Sequence, residues 1–382
     1  PEGSDRIRGV TVRRFASART RDLEAFNRYS DWIYNNPHSR ADELEWLKQQ
    51  GPWCPALFEY LKRSHQQYDV LVFFTYLYAT TVIGLDANPG RSIVVPTAHD
   101  EPAIKLEIFR DVFQNAAALL YLTDAERQFV QHTFPDRPLL EDLVGVGVSI
   151  PQTGDSRAPH PFDEEPPIAE PAPSPVELAT ERDSDETPAR QYRWEPAAHG
   201  SHFRRRHRLQ GPFALYGGRI DPGKGCEELL DYFASYVKEG GDATLALMGV
   251  KLMSLPEEPY VRFAGLLPEV ERVQAMEAAS VVICPSPYES LSLLALEAMA
   301  VGTPVLVNAR SAVLVEHCVR SNAGLWYENR DEFVEGLNTI LRDTALRQAL
   351  GRNGRDYVKT HYRWDVVLAK YERVFTKVRQ AR

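Results

Sequence analysis

The sequence predicts an α/β protein made of two successive parallel-sheet domains. Three observations lead there. Short apolar, β-branched runs alternate with stretches of helical patterning, and the rhythm occurs twice. Between the two series lies Pro151–Gly200, rich in Pro, Ala, Ser and acids and nearly devoid of large aliphatics. The chain has 382 residues, 43% of them hydrophobic, which suffices for two cores. The expected division is residues 1–150, a disordered insertion and linker at 151–208, a second domain at 209–363, and a final helix at 364–382.

In the first domain, the alternation from Val10 to Val12 reads as an edge strand. Helical patterning follows at Asp22–Tyr34, Ala41–Lys48 and Pro55–Ser64. Val70–Leu85 is the longest uncharged run; it falls short of the ~20 residues a membrane-spanning helix needs and reads as a buried strand entering a helix. Ser92–Thr97 is a strand whose exit loop carries His99 and Asp100. In parallel sheets ligands sit at such carboxyl ends. A helix (Ile104–Phe113), a strand (Ala117–Leu122), a helix (Asp124–Thr133) and a strand (Leu143–Ile150) complete the domain.

Within the insertion, Asp183-Ser184-Asp185 has the spacing of a metal-holding pair, but its low-complexity setting reads as no metal site. The run Arg204-Arg205-Arg206-His207-Arg208 reads as solvated, with contact to anionic lipid or an acidic partner as the alternative. From Phe213–Tyr216, a strand, the chain enters a glycine-rich loop, Gly217-Gly218-Arg219-Ile220-Asp221-Pro222-Gly223-Lys224-Gly225, and the helix Glu227–Lys238. Strands Thr244–Met248 and Tyr260–Phe263 and a helix Pro268–Ala279 lead to Val281–Cys284, a buried strand. Pro285, Ser286 and Pro287 break that strand, and from Leu291 an apolar helix runs to Gly302, with Ser290 or Ser292 placed to cap it. Strand Pro304–Val307, helix Ala312–Val319, a strand through Trp326, helices Asp331–Arg342 and Ala345–Thr360, and a last helix from Trp364 follow.

Composition narrows the function classes. A net charge of −9 and no extended basic face exclude a general nucleic-acid binder. Cys54, Cys226, Cys284 and Cys318 lack paired spacing, which suits a reducing cytoplasm and neither a zinc site nor a disulfide framework. No signal peptide is visible, and the start at Pro1 reads as a fragment or a processed product.

Between Ser290 and Ala309 the only charged residue is Glu297, a carboxylate costly to bury on an apolar helix without hydrogen-bond partners. Eight residues earlier Glu289 stands at the mouth of the same helix, the positive end of its dipole. The string PSPYESLSLLALEAMAVGTPV resembles the E-x7-E segment of the retaining family 4 glycosyltransferases, with Glu289 and Glu297 as the pair. It departs from them in carrying Ser290-Leu291-Ser292 where many have Gly-Phe-Gly. Gly218-Arg219 and Lys224-Gly225 match the family's Gly-x-Arg…Lys-Gly loop.

The resemblance implies the GT-B fold: two Rossmann-like domains facing a cleft, with the last helix crossing back to the first. It implies a nucleotide-diphosphate sugar as donor, an acceptor that is a glycan, lipid or small molecule, retention of anomeric configuration, and neither metal nor cofactor. Breaking the donor bond places negative charge on the departing diphosphate, which fixed cations and backbone N–H groups must meet. Arg219 and Lys224 supply the cations, and Gly218, Ser290, Leu291 and Ser292 the backbone around the phosphates. Glu297 grips the ribose, Glu289 holds the sugar near the developing positive charge, His99 contacts the sugar from the first domain, and Leu266 lies where backbone holds the base. Asp100 is a weaker candidate, and Glu316 and His317 fall near further donor contacts without an assigned role.

The family's opening strand, glycine-rich loop and long helix have no counterpart before Arg8. The first domain is therefore expected to lack its beginning or to be completed by a partner chain. Three readings follow: a cytoplasmic transferase with peripheral membrane contact, a donor-binding protein without catalysis, and, on the same architecture, an epimerase or phosphorylase. A phosphorylase needs a cofactor-holding lysine for which no segment is found.

Overall fold

The computed structural model describes residues 2–138, 140–149 and 202–381. The Asp183-Ser184-Asp185 pair and nearly all of the proposed insertion lie outside them. The first domain opens with β1 (Gly3–Ile7) and β2 (Val10–Arg14), an exposed antiparallel hairpin closed by Arg8 and Gly9, both at positive φ. The edge strand expected at Val10–Val12 thus pairs with its neighbour and joins neither large sheet. Helices α1 (Leu23–Asn35), α2 (Arg40–Gln50) and α3 (Pro55–Ser64) follow, the first two entered through side-chain caps from Asp22 and Ser39.

Strands β3 (Leu71–Phe74), β4 (Ser92–Val95), β5 (Ala118–Tyr121) and β6 (Glu141–Leu143) form a parallel sheet in that order. Helices α4 (Ala79–Leu85), α5 (Glu107–Asn115) and α6 (Asp124–Thr133) make the crossovers. The expected strand Leu143–Ile150 ends at its first residue. Val144 N still donates to Tyr121 O as the last rung of the parallel ladder, but Gly145 turns the backbone at φ +75 and Val148 N donates to Tyr362 O, so pairing ends there.

The second domain comprises β7 (Phe213–Ile220), α7 (Cys226–Lys238), β8 (Thr244–Lys251), β9 (Val261–Gly265), α8 (Glu269–Ala278), β10 (Val281–Cys284), α9 (Leu293–Val301), β11 (Val305–Asn308), α10 (Ala312–Ser321) and β12 (Gly324–Tyr327). Its parallel sheet has the order β12-β11-β10-β7-β8-β9. Helix α9 is apolar except for Glu297 and sits in the core, with Ala295, Leu296, Ala298 and Met299 fully buried. Helices α11 (Arg330–Arg342), α12 (Thr344–His361) and α13 (Trp364–Gln380) close the chain.

Helix α13 packs on the first domain. Tyr371 OH donates to Gly145 O at 3.3 Å, Arg373 pairs with Asp142 at 2.7 Å, and Val367, Val374 and Val378 enter a buried cluster with Leu120, Leu122 and Val144. The Arg204–Arg208 run is not simply solvated. Arg204 donates to Ala278 O at 2.6 Å and lies over the Phe213 ring, and Arg206 pairs with Glu271. Among the described residues no helix is long and apolar enough to cross a membrane.

Candidate functional site

The order of the second sheet marks the site. From β7 the chain builds outward through β8 and β9, then returns to the other side of β7 with β10. Such a reversal opens a crevice at the carboxyl ends of the two central strands. After β7, the Asp221 carboxylate accepts from Lys224 N at 3.0 Å and folds Pro222–Lys224 into a tight turn. Gly225 then enters α7 at φ +75; a Cβ there would lie 2.3 Å from Pro285 O, so only glycine lets the two strand-end loops touch. After β10, Asn308 Nδ2 donates to Pro285 O (3.0 Å) and Glu228 Oε1 (3.1 Å), bracing the second loop from below. Lys224 Nζ and Glu289 Oε1 meet at 2.8 Å across the crevice.

Arg219 lies on the same rim, its Nε 3.4 Å from Asp221 Oδ2 and its side chain 63% exposed. The stretch Gly217–Ile220, expected as loop, is strand: Gly218 pairs with Gly249 and Arg219 with Val250. Gly249, at φ +126, has no room for a side chain, since a Cβ would lie 1.9 Å from Gly218 O. Two facing glycines therefore let β7 and β8 run on past their neighbours and carry Arg219 out to the crevice.

The tip of α9 points at the same place. Ser292 occupies the cap position at φ +62, but its hydroxyl makes no cap bond, contrary to the expected serine cap. The amides of Leu291 and Ser292 have no acceptor among the described residues. Such unpaired amides, at the positive end of the helix dipole, suit an anion. Leu291 itself is buried, and Ser290 O accepts from Thr123 Oγ1 of the first domain at 3.3 Å.

About one turn into α9, Glu297 pairs with Arg272 of α8 at 3.0 Å. Burial raises its pKa, and Arg272 partly offsets that. The lone carboxylate thus has a partner that no local sequence signal announced. Leu266, just beyond β9, is 76% exposed. Among the described residues no hydrogen bond or ion pair joins Glu297 or Leu266 to the Lys224–Glu289 pair.

From the first domain, the His99 ring stacks on Tyr288 at 5.9 Å, and its Nε2 lies 3.7 Å from Glu101 Oε2. Asp100 is exposed and faces Lys105. Glu126 fixes the His99 loop from inside, accepting from Ala98 N at 2.7 Å and Leu122 N at 2.6 Å. Burial pushes its carboxyl up to about 8 despite these bonds. A carboxyl held above its unfolded value favours folding in its protonated form, so that contribution is complete below the ordinary pKa of about 4.5 and disappears as pH rises through about 8. The melting temperature of Glu126→Gln minus that of the wild type should therefore climb between pH 5 and pH 9; a flat difference in thermal unfolding would refute it.

Glu316 of α10 crosses between the domains, accepting from Asp124 N (3.2 Å) and Ala125 N (2.7 Å) at the start of α6. Among the described residues, no group of three or more His, Cys, Asp or Glu side chains is arranged to hold a metal ion.

Residues 201–357 match the family model for Glycosyl transferases group 1. An uncharacterized glycosyltransferase of Methanocaldococcus jannaschii is 29% identical over 174 residues, covering 42% of this chain and 44% of that protein. The D-inositol 3-phosphate glycosyltransferase of Corynebacterium diphtheriae is 30% identical over 175 residues, 41% of this chain and 40% of that one. The chain spans less than half the length of these curated relatives. Among solved structures, sucrose-phosphate synthase from Thermosynechococcus elongatus superposes with a TM-score of 0.67 at 17% identity, covering 100% of this chain and 86% of that one. Anabaena HepE, in complex with UDP and glucose, gives 0.62 at 17% identity, covering 85% and 82%. The fold is that of the GT-B glycosyltransferases, two Rossmann-like domains, and the family match falls on the second of them.

Proposed function

We propose that the protein is a retaining, metal-independent glycosyltransferase of the family 4 kind, moving a hexose from a nucleotide-diphosphate sugar to a glycan, lipid or small-molecule acceptor. The observation that carries the reading is the Lys224–Glu289 pair at 2.8 Å, at the strand-order reversal and next to the unpaired amides of α9. Cation, amides and carboxylate stand together where a diphosphate joined to a sugar would need all three.

In this reading Lys224 and Arg219 meet the charge that grows on the leaving diphosphate, and the N–H groups of Leu291 and Ser292 take a phosphate oxygen. Gly218 keeps the backbone close. Glu289, released from Lys224 as the diphosphate arrives, orients sugar hydroxyls near the developing positive charge. Glu297 accepts from the ribose, sharing its carboxylate with Arg272, and the backbone at Leu266 borders the base. His99 meets the sugar from the opposite wall. With no side chain assigned as base or nucleophile, the leaving phosphate takes the acceptor's proton on the face it departs from. The reaction takes place in the cytoplasm, with the acceptor drawn from solution or from a membrane surface.

The test is thermal stabilisation of the protein by UDP- and GDP-sugars, together with their hydrolysis or transfer. Binding to the folded state stabilises it with the logarithm of ligand concentration above Kd, about 2.7 kcal/mol at a hundred times Kd. Stabilisation and turnover together are expected. Stabilisation with no turnover, acceptors included, is the result for a donor-binding protein completed by a partner chain, and neither response removes the reading.

A further inference from the structure

We propose that His317 is a positioning residue for the amide cradle at the tip of α9, holding it through a hydrogen-bonded relay from Tyr362 and Tyr357. The inference rests on the reading of that tip as the diphosphate site. His317 lies on α10, outside the crevice, and is completely buried. Its Nε2 is 2.7 Å from Leu291 O and its Nδ1 3.1 Å from Tyr357 OH, which is in turn 3.3 Å from Tyr362 OH. A carbonyl only accepts, so Nε2 carries the hydrogen, Nδ1 accepts from Tyr357, and Tyr357 accepts from Tyr362. Every member of the chain is satisfied in one direction. Burial keeps the imidazole neutral, as this arrangement needs.

The relay acts through peptide geometry. In a trans peptide, the C=O of one residue and the N–H of the next point in opposite directions. Ser290 O faces Thr123 Oγ1 and Leu291 O faces His317 Nε2, so both carbonyls are drawn inward. The N–H groups of Leu291 and Ser292 are thereby turned outward, and neither has an acceptor among the described residues. Ser292 sits at φ +62, a conformation an L-residue holds only when its surroundings impose it. The Leu291–His317 bond restrains the peptide immediately before it. The backbone carbonyl of Tyr362, the residue at the far end of the relay, accepts from Val148 N at 2.7 Å where the chain returns to the first domain.

The test compares His317→Leu, which removes the donor, with His317→Gln, whose amide can still reach Leu291 O. UDP and GDP serve as probes in calorimetric titration of the whole chain, and amide hydrogen exchange follows residues 288–295 without nucleotide. For His317→Leu we expect nucleotide affinity to fall about 10-fold and exchange at 288–295 to accelerate, the scale of one buried hydrogen bond. His317→Gln should stay within about 3-fold of the wild type. Tyr357→Phe, a milder change that keeps the ring, should lie between them.

Unchanged affinity and exchange in His317→Leu overturn the proposal, as does a lower melting temperature with both unchanged below it. Should His317→Leu fail to fold, wild-type behaviour of Tyr357→Phe overturns the relay. If the wild type binds neither nucleotide, the donor reading falls and exchange alone decides. Acceleration in His317→Leu then supports the hold on Leu291, and its absence ends it.

Discussion

Replacing Lys224 with alanine is expected to slow sugar transfer on the order of 10²–10³-fold, the usual cost of deleting one group that meets charge developing in a transition state. The ammonium stands at the end of a turn fixed by Asp221 and is aligned by Glu289 before any donor arrives. Once the diphosphate has displaced Glu289, little further movement of the ammonium is needed during the reaction. The effect should be on rate and hardly on folding. Lys224 is 31% exposed and its partner 19%, and a pair so near solvent contributes under about 1 kcal/mol. Single-turnover kinetics beside a melting curve separates the two. Turnover within threefold of the wild type would remove Lys224 from the chemistry, and a collapsed melting transition would make any rate loss uninterpretable.

Gly249→Ala should be the most damaging small substitution in the second domain. Its Cβ would stand 1.9 Å from Gly218 O and 2.8 Å from Gly218 C, against backbone that has no flexible end to yield. The φ of +126 adds backbone strain, on the order of 1–3 kcal/mol, and the steric overlap a similar amount. A combined loss of about 3 kcal/mol should lower the melting temperature by roughly 4 °C in a chain of 382 residues whose lobes unfold as one unit. Any folded fraction should bind UDP or GDP poorly, because relieving the overlap pushes Gly218 and Arg219 off the crevice rim. A melting temperature within about 2 °C of the wild type would show that β7 and β8 part more easily than their register implies.

Most helices and buried strands were legible because each is signalled within a few residues. Asp124–Thr133 follows a threonine cap, and Val281–Cys284 is an unbroken β-branched run. The errors share a cause. Gly217–Ile220 looks like loop because glycine normally loosens a strand, and only Gly249, about thirty residues on and facing Gly218, reveals the close pairing. Gly145–Val148 looks like strand by composition, yet Gly145 turns the chain away from β5 and the Val148 amide is claimed by Tyr362, more than two hundred residues away. Likewise Ser292 has the chemistry of a cap but not the backbone angles for one.

Around the glycine turn and α9, the charged side chains stand out in the sequence and their partners do not. Lys224, Glu289 and Glu297 stand out against glycine or aliphatic neighbours. Asp221, just before Pro-Gly-Lys, had a readable turn signal. Arg272, Tyr288, Glu126 and His317 are ordinary in their local context and acquire meaning only from what the fold sets against them.

The final helix belongs to one lobe by sequence and to the other by packing, which makes the two inseparable by a single cut. A protease nick anywhere between residues 150 and 201 leaves the pieces clasped through Tyr362, Tyr371 and Arg373. Conversely, residues 2–149 produced alone would expose the apolar surface that Val367, Val374 and Val378 normally cover. The molecule is two domains to the eye but one to the test tube, and its lobes should melt together.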